Sequence, residues 1–379
     1  MKKGANLETI KDVNSKLVLG CIRSRSVSRA EIAEMTGLAR SAVTIITKQL
    51  ISEGQIMEVG TDHTSVGRSP ILLDIVKDYR YAMGILFHRR EIAVCIANLK
   101  MECIEAKHLP IECITSPEEA TDWAYEQGVK MMRRHRIPLE KCIGIGISSP
   151  GPLNCISGEI FTPPGFQMFH HFNPIQYLKM KCDYPVFLSN APVPMAVYET
   201  QQHLHQLSDF LFISVDRGVG AAIIQDGNVY QGFNGFAGEF GHMSIDYNGN
   251  YCSCGNRGCL ETYITKKAIM ERFQLDSYEK MIDQAYEGKA DALSIVEYIV
   301  NIFSSAITNA INMLDLDAVV ISGELNYRHQ LLFTQIQERI NRNMIRPEIY
   351  PITVIPATLG EKNDISYISA IVIQQHFRP

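Results

Sequence analysis

Hydrophobic residues recur at helical spacing near the start of the chain. Between Asn14 and Arg25 they occupy positions 17, 18, 21 and 22, which predicts a first helix of about three turns. Ser28 followed by Glu31 has the spacing of a capping box, which predicts that a second helix begins there. Thr36-Gly37-Leu38 is expected to end that helix, and a third helix is predicted from Arg40 to Glu53. Three helices joined by this turn indicate a helix-turn-helix.

Two strands and a polar loop are predicted to follow the third helix. Gln55–Gly60 and Pro70–Ile75 have the composition of paired strands, and the polar segment Thr61–Arg68 lies between them. This arrangement predicts a wing, so we expect residues 1–76 to form a winged helix-turn-helix DNA-binding domain. Arg68, next to Gly67, is expected to enter a narrow minor groove as an extended cation.

The third helix offers cationic and hydroxyl side chains on its predicted exposed face. In such domains this helix reads base edges in the major groove while hydroxyls and cations hold phosphates. We expect Arg40 and Thr44 to contact bases. We expect Ser41, Thr47 and Lys48 to contact phosphates. A three-helix module that binds protein, with basic residues that are merely solvated, is the alternative at this point.

The rest of the chain carries one order of elements twice. The first half is predicted to contain three strands, a helix and a fourth strand, at 81–87, 91–98, 103–110, 117–136 and Cys142–Ser148. The second half repeats the order with strands, an apolar helix and final strands at 210–216, 219–225, 228–230, 292–314, Ala318–Ser322 and Ile352–Ile355. Two βββαβ units predict an α/β body of two lobes, an architecture that binds ligands in a cleft. We expect the first lobe at 77–190, completed by a C-terminal helix at 364–379, and the second lobe at 191–363.

A histidine and three cysteines give the strongest local signal for a metal. Cys252, Cys254 and Cys259 follow His242 closely, and three thiolates with one imidazole are a ligand set for tetrahedral zinc. Glycines at 255 and 258 permit the tight turn that this spacing requires. We expect one structural zinc ion per chain, with no open position for hydrolysis. Three unrelated loop cysteines are the alternative.

Charge separates the predicted head from the body. The chain of 379 residues has a net charge of −5, which gives no electrostatic reason for its whole surface to coat nucleic acid or an anionic membrane. Residues 1–70 contain ten Lys and Arg against seven Asp and Glu, whereas the remaining 309 contain 26 against 34. This difference favours a head that meets phosphate locally.

We expect a cytoplasmic protein that does not bind a membrane. The most apolar stretch, Ala292–Leu314, includes Glu297 and three asparagines, which are costly in a bilayer and ordinary in a buried amphipathic helix. The N-terminal residues lack the uninterrupted apolar run of a secretory signal. Seven of the ten cysteines stand singly within apolar stretches, as small core residues do, and this favours a reducing compartment.

Several motifs together resemble the ROK (repressor, open reading frame, kinase) family. Gly238-Glu239-Phe240-Gly241-His242 matches its Gly-Glu-x-Gly-His element, and Cys252–Cys259 with Leu260-Glu261 matches its CxCGxxGCxE signature. Gly144-Ile145-Gly146 with Ser149-Pro150-Gly151-Pro152 resembles its first-lobe loop. The predicted head resembles that of the repressor branch, of the NagC/XylR type, which the kinases lack. The resemblance implies a two-lobed actin-like (ribonuclease H-like) ATPase-type fold behind the winged head.

The resemblance also implies a set of sugar-binding residues. The family holds a sugar with an Asn-Asp pair, with the Glu and His of Gly-Glu-x-Gly-His, and with the Glu after the last zinc cysteine. By position these ligand-binding residues are Asn190, Glu239, His242 and Glu261, with Ala191 where the Asp would stand. Carboxylates and amides suit this task because they accept from or donate to neighbouring hydroxyls. One ring nitrogen of His242 is expected to face zinc and the other a hydroxyl.

Two departures from the family pattern argue against phosphoryl transfer. The kinases use the Asp of the Asn-Asp pair as a base, and Ala191 has no carboxylate. Their phosphate loop, a strand that ends in Asp-x-Gly-Gly-Thr, is replaced by 84–90, with Leu86 where the acid would stand. We therefore expect no enzymatic activity. The missing Asp also implies a different sugar, a phosphorylated or deoxy one, or no small ligand.

The head and the resemblance together predict a sequence-specific DNA-binding transcriptional repressor of carbohydrate-metabolism genes. We expect a homodimer or homotetramer to bind a pseudo-palindromic double-stranded operator, with one head at each half-site. A sugar or sugar-phosphate inducer in the cleft is expected to release the operator. Two alternatives stay open: a ROK sugar kinase that carries a DNA-binding head, and a repressor controlled by a protein partner.

Overall fold

The chain folds into two compact units. A computed structural model describes residues 7–61, 70–203, 207–346, 349–359 and 364–378. One unit comprises Met1–Asn190 with Asn363–Pro379, and the other comprises Ala191–Lys362. The first unit thus contains the predicted head, the first lobe and the C-terminal segment. A boundary between head and first lobe at residue 76 stays a prediction.

The head contains three helices and a small antiparallel sheet. The helices are α1 Leu7–Ser24, α2 Arg29–Thr36 and α3 Arg40–Ser52. The strands are β1 Val27–Ser28, β2 Ile56–Thr61 and β3 Ile71–Ile75, in the order β1-β3-β2. The three predicted helices and the two wing strands are confirmed. β1 is an addition, because a strand of two residues carries no readable alternation.

The start of α2 is fixed by the predicted capping box. The Ser28 hydroxyl accepts a hydrogen bond from the Glu31 amide at 3.3 Å, and the Glu31 carboxylate accepts one from the Ser28 amide at 2.8 Å. This second bond lowers the pKa of Glu31 below its usual range. The helices and the sheet then share one core of fully or almost fully buried side chains, which includes Val18, Ile22, Ile32, Val43, Leu50 and Leu73.

The first lobe is built on a five-stranded mixed sheet. Its elements are β4 Tyr81–Phe87, β5 Glu91–Asn98, β6 Cys103–Pro110, α4 Pro117–Arg134, β7 Cys142–Ser149, β8 Leu153–Asn154, β9 Glu159–Ile160, α5 Pro174–Lys179 and β10 Val186–Asn190. The sheet has the order β10-β7-β4-β5-β6, in which β10, β7 and β4 are parallel and β4, β5 and β6 are antiparallel. β8 and β9 pair with each other outside it.

The second unit repeats this sheet. Its elements are α6 Pro192–Gln202, β11 Phe210–Val215, β12 Val219–Gln225, β13 Asn228–Tyr230, α7 Glu261–Ile264, α8 Lys266–Phe273, α9 Tyr278–Tyr286, α10 Ala290–Leu314, β14 Ala318–Gly323, α11 Gln330–Asn343 and β15 Thr353–Pro356. The order β13-β12-β11-β14-β15 again combines three antiparallel strands with two further parallel ones. The predicted duplication is confirmed at the level of sheet topology.

Helix α10 forms the centre of the core of the second unit. By length and composition it is the one helix of the described chain able to cross a membrane. Twelve of its residues are buried in the fold, among them the hydroxyl residues Ser304 and Thr308. Glu297 forms an ion pair with Arg339 of α11, with 2.9 Å between the carboxylate oxygen and the guanidinium nitrogen. The helix therefore packs as a core helix of this unit.

The cysteines outside the predicted zinc set are not uniformly buried. All ten cysteines of the chain are free thiols. Cys95 and Cys142 lie in the core, as expected, but Cys103 and Cys113 are exposed. The expectation of a core position was wrong for these two, because Cys103 begins the edge strand β6 and Cys113 lies in a short helical turn after it.

The C-terminal helix returns to the first unit and packs on β7. This helix, α12 Ala370–Phe377, follows a single 3-10 turn at Ser366–Ser369. At Gly146 of β7, an added Cβ would lie only 2.7 Å from the carbonyl oxygen of Ile368 and 3.2 Å from Cγ2 of Val372. Gly146 is therefore a strand residue required by close packing, and the predicted strand Cys142–Ser148 is confirmed.

Replacing Gly146 with alanine should destabilise the protein. The new methyl group meets a backbone oxygen, which cannot move aside cheaply, so we expect a loss of about 1–3 kcal/mol in the free energy of unfolding. Gly20→Ala is the control, because nothing lies within 4 Å of its Cβ position in α1 and alanine favours helix. Denaturant unfolding followed by circular dichroism measures both. Equal midpoints for the two variants would contradict the packing argument.

Candidate functional site

The four predicted metal ligands of the second unit converge. One ligand atom each of His242, Cys252, Cys254 and Cys259 lies within 4.8 Å of the other three. Cys252 Sγ is 3.7 Å from His242 Nδ1, and Cys254 Sγ is 3.6 Å from Cys259 Sγ. Cys252 and Cys259 are buried while Cys254 is exposed. The cluster is thus able to hold a metal ion at the surface of this unit.

His242 is placed by a short turn that is anchored to the sheet. The turn Phe240–His242 follows a segment whose Gly238 carbonyl accepts a hydrogen bond from the Ala221 amide of β12 at 3.1 Å. Phe240 is 4% exposed and belongs to the hydrophobic core of the unit. The His242 amide donates to the Glu239 carbonyl at 3.1 Å. These contacts therefore fix the position of the backbone from which the His242 imidazole extends.

The three cysteines stand on a tight knuckle. The Cys252 amide donates to the Asn256 carbonyl at 2.9 Å, and the Gly255 amide donates back to the Cys252 carbonyl at 3.0 Å. Gly258 has a φ of +71°, and a Cβ there would lie 1.8 Å from the carbonyl oxygen of Asp246. Only glycine fits this position, so the sequence spacing CxCGxxGC is explained by the backbone path.

Protons and metal compete for the thiols. Burial raises the pKa of Cys252, and burial followed by the neighbouring thiols raises that of Cys259 to about 12. The backbone amide of Asn256 lowers the pKa of the more exposed Cys254. A metal must displace protons from at least the two buried thiols, so its affinity falls as the pH falls.

Glu261 lies beside the metal-ligand cluster. It begins α7, and its Oε1 is 3.2 Å from Cys252 Sγ and 3.6 Å from His242 Nδ1. Its Oε2 lies 3.1 Å from the position that a Cβ of Gly218 would take. Since Nδ1 of His242 faces the cluster, Nε2 is the ring nitrogen left for another ligand. Two of the predicted sugar-binding residues are therefore in contact, and the exposed Glu239 precedes this pair in the same unit.

Asn190, the fourth predicted sugar-binding residue, belongs to the first unit. It ends β10 and stands opposite Ser149, which ends the parallel strand β7. The carboxyl ends of parallel strands are where α/β sheets bind ligands, so the position suits a binding residue. Ala191 directly follows as the first residue of the second unit, and it immediately precedes α6.

The strand that should lead into a phosphate loop enters a closed hairpin instead. Leu86 is 9% exposed within β4 and pairs with Ala93 of β5. The His88 amide donates to the Glu91 carbonyl at 2.9 Å, which closes the turn. Arg89 Nε donates to the Pro164 carbonyl at 2.9 Å. The contact from Arg89 to Pro164 thus lies at this turn. The family resemblance would place a glycine-rich loop that binds phosphate at the same position.

The head presents a cationic helix. In α3, Arg40, Ser41 and Lys48 are exposed, as predicted, and this helix contains no acidic residue. Thr44 is half-buried, and its hydroxyl donates to the Arg40 carbonyl at 2.8 Å. That bond leaves the lone pairs of the hydroxyl able to accept a further hydrogen bond. Arg68 lies outside the described residues.

The prediction that Thr47 contacts phosphate was wrong. This residue is fully buried, and its hydroxyl accepts a hydrogen bond from Arg29 Nε at 3.1 Å. The same arginine donates to Glu58 of β2 at 2.9 Å and so joins α2, α3 and the wing. Arg29 was missed by the sequence analysis. Its position directly after the N-cap Ser28 was the available signal, because such a residue lies at the junction of helix and sheet.

Comparisons with known proteins match most of the chain. Residues 82–375 match the ROK family. The chain is 29% identical to a xylose repressor of Bacillus spizizenii, an alignment that covers 97% of this chain and 96% of that protein. It is 28% identical to the DNA-binding transcriptional dual regulator NagC of Escherichia coli, over 97% of this chain and 94% of that one.

Solved structures share the fold. The crystal structure of a ROK family transcriptional regulator, a homologue of the E. coli MLC protein, has a TM-score of 0.78 at 23% identity and 97% coverage of both chains. The ROK hexokinase from Thermus thermophilus has a TM-score of 0.65 at 21% identity, over 78% of this chain and 99% of that one. The predicted two-lobed actin-like α/β fold with its N-terminal helix-turn-helix is confirmed. The match over 82–375 shows that the chain belongs to the ROK family.

Proposed function

We propose that this protein is a sequence-specific transcriptional repressor of carbohydrate-metabolism genes, released from its operator by a sugar or a sugar derivative. The observation that carries the proposal is the cationic, acid-free helix α3 in a helix-turn-helix head, joined to a ROK body. Relatives named for xylose and N-acetylglucosamine repression match it over nearly their whole length. Because the fold alone is shared with kinases, the head is the feature that favours regulation.

In the proposed complex, α3 lies in the major groove of double-stranded DNA. Arg40 and Thr44 stand at its start, where helix-turn-helix proteins contact bases. Ser41 and Lys48 are exposed and suit phosphate contacts. We keep Arg68 as a proposed minor-groove contact. A homodimer or homotetramer would place two heads on the half-sites of a pseudo-palindromic operator.

The proposed inducer site uses Asn190, Glu239, His242 and Glu261. The carboxylates accept hydrogen bonds from sugar hydroxyls, the Asn190 amide both donates and accepts, and Nε2 of His242 contacts a hydroxyl. Ala191 removes one acceptor, which favours a sugar that presents one hydroxyl fewer or replaces it with phosphate. Binding there must favour one arrangement of the heads over another to change operator affinity.

We propose that the protein does not phosphorylate its sugar. Phosphoryl transfer needs a base and a cradle for the nucleotide phosphates. Ala191 supplies no base, and Leu86 occupies a buried strand position next to a closed hairpin. The hexokinase similarity therefore concerns the shape of the body and not its chemistry. A cytoplasmic site of action follows from the proposed role on chromosomal DNA.

We propose zinc as the metal of the Cys3His cluster. Ideal tetrahedral zinc would separate two thiolate sulfurs by about 3.8 Å and a sulfur from an imidazole nitrogen by about 3.6 Å. The pairs Cys254–Cys259 at 3.6 Å and Cys252–His242 at 3.7 Å agree with these edges. Zinc would hold the knuckle to the turn at His242. With four protein ligands its role would be structural.

Replacing Lys48 with alanine should weaken binding to all DNA sequences alike. Loss of one phosphate contact should reduce the slope of log affinity against log salt concentration by about one. Fluorescence anisotropy over a salt series, with a duplex selected from random DNA by this protein, measures the slope. Lys267→Ala is the control, because this lysine is 80% exposed in the second unit. A wild-type slope for Lys48→Ala would remove Lys48 from the interface.

One member of a panel of xylose, N-acetylglucosamine and their phosphates should raise the melting temperature and release the selected duplex. Glu239→Gln should weaken that sugar at least 10-fold, because it loses a charged acceptor. The exposed Glu271→Gln is the matched control. With ATP and the same panel, no ADP should form.

The outcomes of the sugar test separate the alternatives. Formation of ADP and a sugar phosphate would contradict the loss of catalysis inferred from Ala191 and Leu86. DNA binding without a response to any sugar would favour a repressor that a protein partner controls.

Elemental analysis should find about one zinc ion per chain, as expected for one four-ligand site. Cys254→Ser should lose it, and retention should decrease at low pH because protons compete for the thiolates. Cys113→Ser is the control, since Cys113 is an exposed thiol of the first unit. Full zinc content in Cys254→Ser would show that Cys254 does not hold the metal and that the ion is bound elsewhere.

A further inference from the structure

Ile45 stands out on the exposed face of α3. It is 67% exposed, whereas Val43, Ile46 and Leu50 of the same helix are almost completely buried. It is the one large hydrophobic residue that this helix leaves in solvent, and among the head residues whose exposure is described no other large hydrophobic residue is more than half exposed. The core of the head therefore does not account for an isoleucine at this position.

Ile45 has polar neighbours on its own stripe of the helix. Ser41 precedes it by four residues and Lys48 follows by three, so the three side chains lie in one row along the surface. Arg40 stands at the start of the same helix, and the helix contains no acid. The charge of this face complements a polyanion. A single apolar side chain in such a row is far smaller than a protein interface, which buries about 800 Å² on each partner.

The major groove contains one apolar group that an isolated aliphatic side chain can recognise. That group is the C5 methyl of thymine, which no other DNA base carries in unmodified DNA. Serine, lysine and arginine on either side of Ile45 would meet polar base edges and phosphates. A branched aliphatic side chain between them can shield both its own methyl groups and the thymine methyl from water.

We propose that Ile45 reads a thymine in each operator half-site through contact with its C5 methyl group. This inference rests on the proposed function, because it requires α3 to lie in the major groove. Thr44 and Arg40 remain the hydrogen-bonding readers, and Ile45 adds discrimination between thymine and cytosine at one further base pair.

The test removes the methyl group from the DNA and leaves the protein unchanged. Duplexes selected from random sequence by the full-length protein should share a thymine in each half-site. Versions with deoxyuridine at that position keep every hydrogen-bonding group and lack only the methyl. Wild-type affinity should fall about 3- to 5-fold for each contacted thymine, the effect of exposing one buried methyl group.

The protein variants decide which residue makes the contact. Ile45→Ala should lose most of the discrimination between thymine and deoxyuridine duplexes, because alanine lacks the branched chain that reaches the thymine methyl, and alanine keeps the helix stable. Lys48→Ala should weaken both duplexes and keep the ratio between them. A circular dichroism melt of each variant checks that the head is folded.

Three results would overturn the inference. They are a selected pool without a shared thymine, wild-type affinity that ignores deoxyuridine at every position, and an unchanged thymine preference in Ile45→Ala. Each of these results leaves the proposed repressor function standing, because DNA is still bound. Failure of the wild-type protein to select any duplex would instead contradict the proposed function itself.

Discussion

Charge balance at the Cys3His cluster constrains the whole region around it. Cys252 Sγ lies 3.2 Å from a carboxylate oxygen of Glu261, and the other thiols and His242 lie within the same few ångströms. As a thiol, Cys252 can donate a hydrogen bond to this carboxylate, but once the thiols lose their protons the thiolates and the carboxylate repel each other unless a cation is shared between them. A divalent ion would stabilise the group as one assembly. Because His242 and Glu261 are also the proposed sugar contacts, the orientation of the proposed sugar site would depend on the same ion.

The backbone of the body does not depend on the two positions, 86 and 191, at which the sequence departs from the kinase pattern. Both sheets have three antiparallel strands next to two parallel ones, and the parallel strands β7 and β10 end together at Ser149 and Asn190. That geometry belongs to the backbone and needs no particular side chain at position 86 or 191. Leu86 and Ala191 are therefore compatible with the fold, and under the proposed function they replace the groups that phosphoryl transfer requires. The proposed regulator would use such a body to bind a ligand without catalysis.

Most of the architecture followed from periodicity, because its strands and helices are long and strongly patterned. The duplicated sheet, the capping box at Ser28 and α10 are of this kind. The two-residue strand β1 was missed because it is too short to show alternation, and the five-residue strand β10 was missed as well. Thr47 was wrongly assigned to the exposed face of α3, because the prediction relied on its hydroxyl group and not on its position in the helical repeat. It stands four residues after Val43 and three before Leu50, on the buried face. The metal ligands could be predicted because their chemistry is specific, whereas the bond from Arg29 to Thr47 depends on tertiary packing.

The contact between the head and the C-terminal helix is electrostatically weak. Arg23 of α1 lies 5.6 Å from the ring of Phe377, and its buried Nε has no hydrogen-bond partner among the described residues. Burial lowers the pKa of Arg23 to about 10, so it still carries its charge at neutral pH. His376 has its pKa lowered by burial and by the cations Arg80 and Lys16, so no acid compensates the arginine from that side. A cation–π contact contributes about 2 kcal/mol at most, and the desolvation of an unpaired guanidinium opposes it. The cation–π contact between Arg23 and Phe377 therefore adds little to the stability of the junction between α1 and α12.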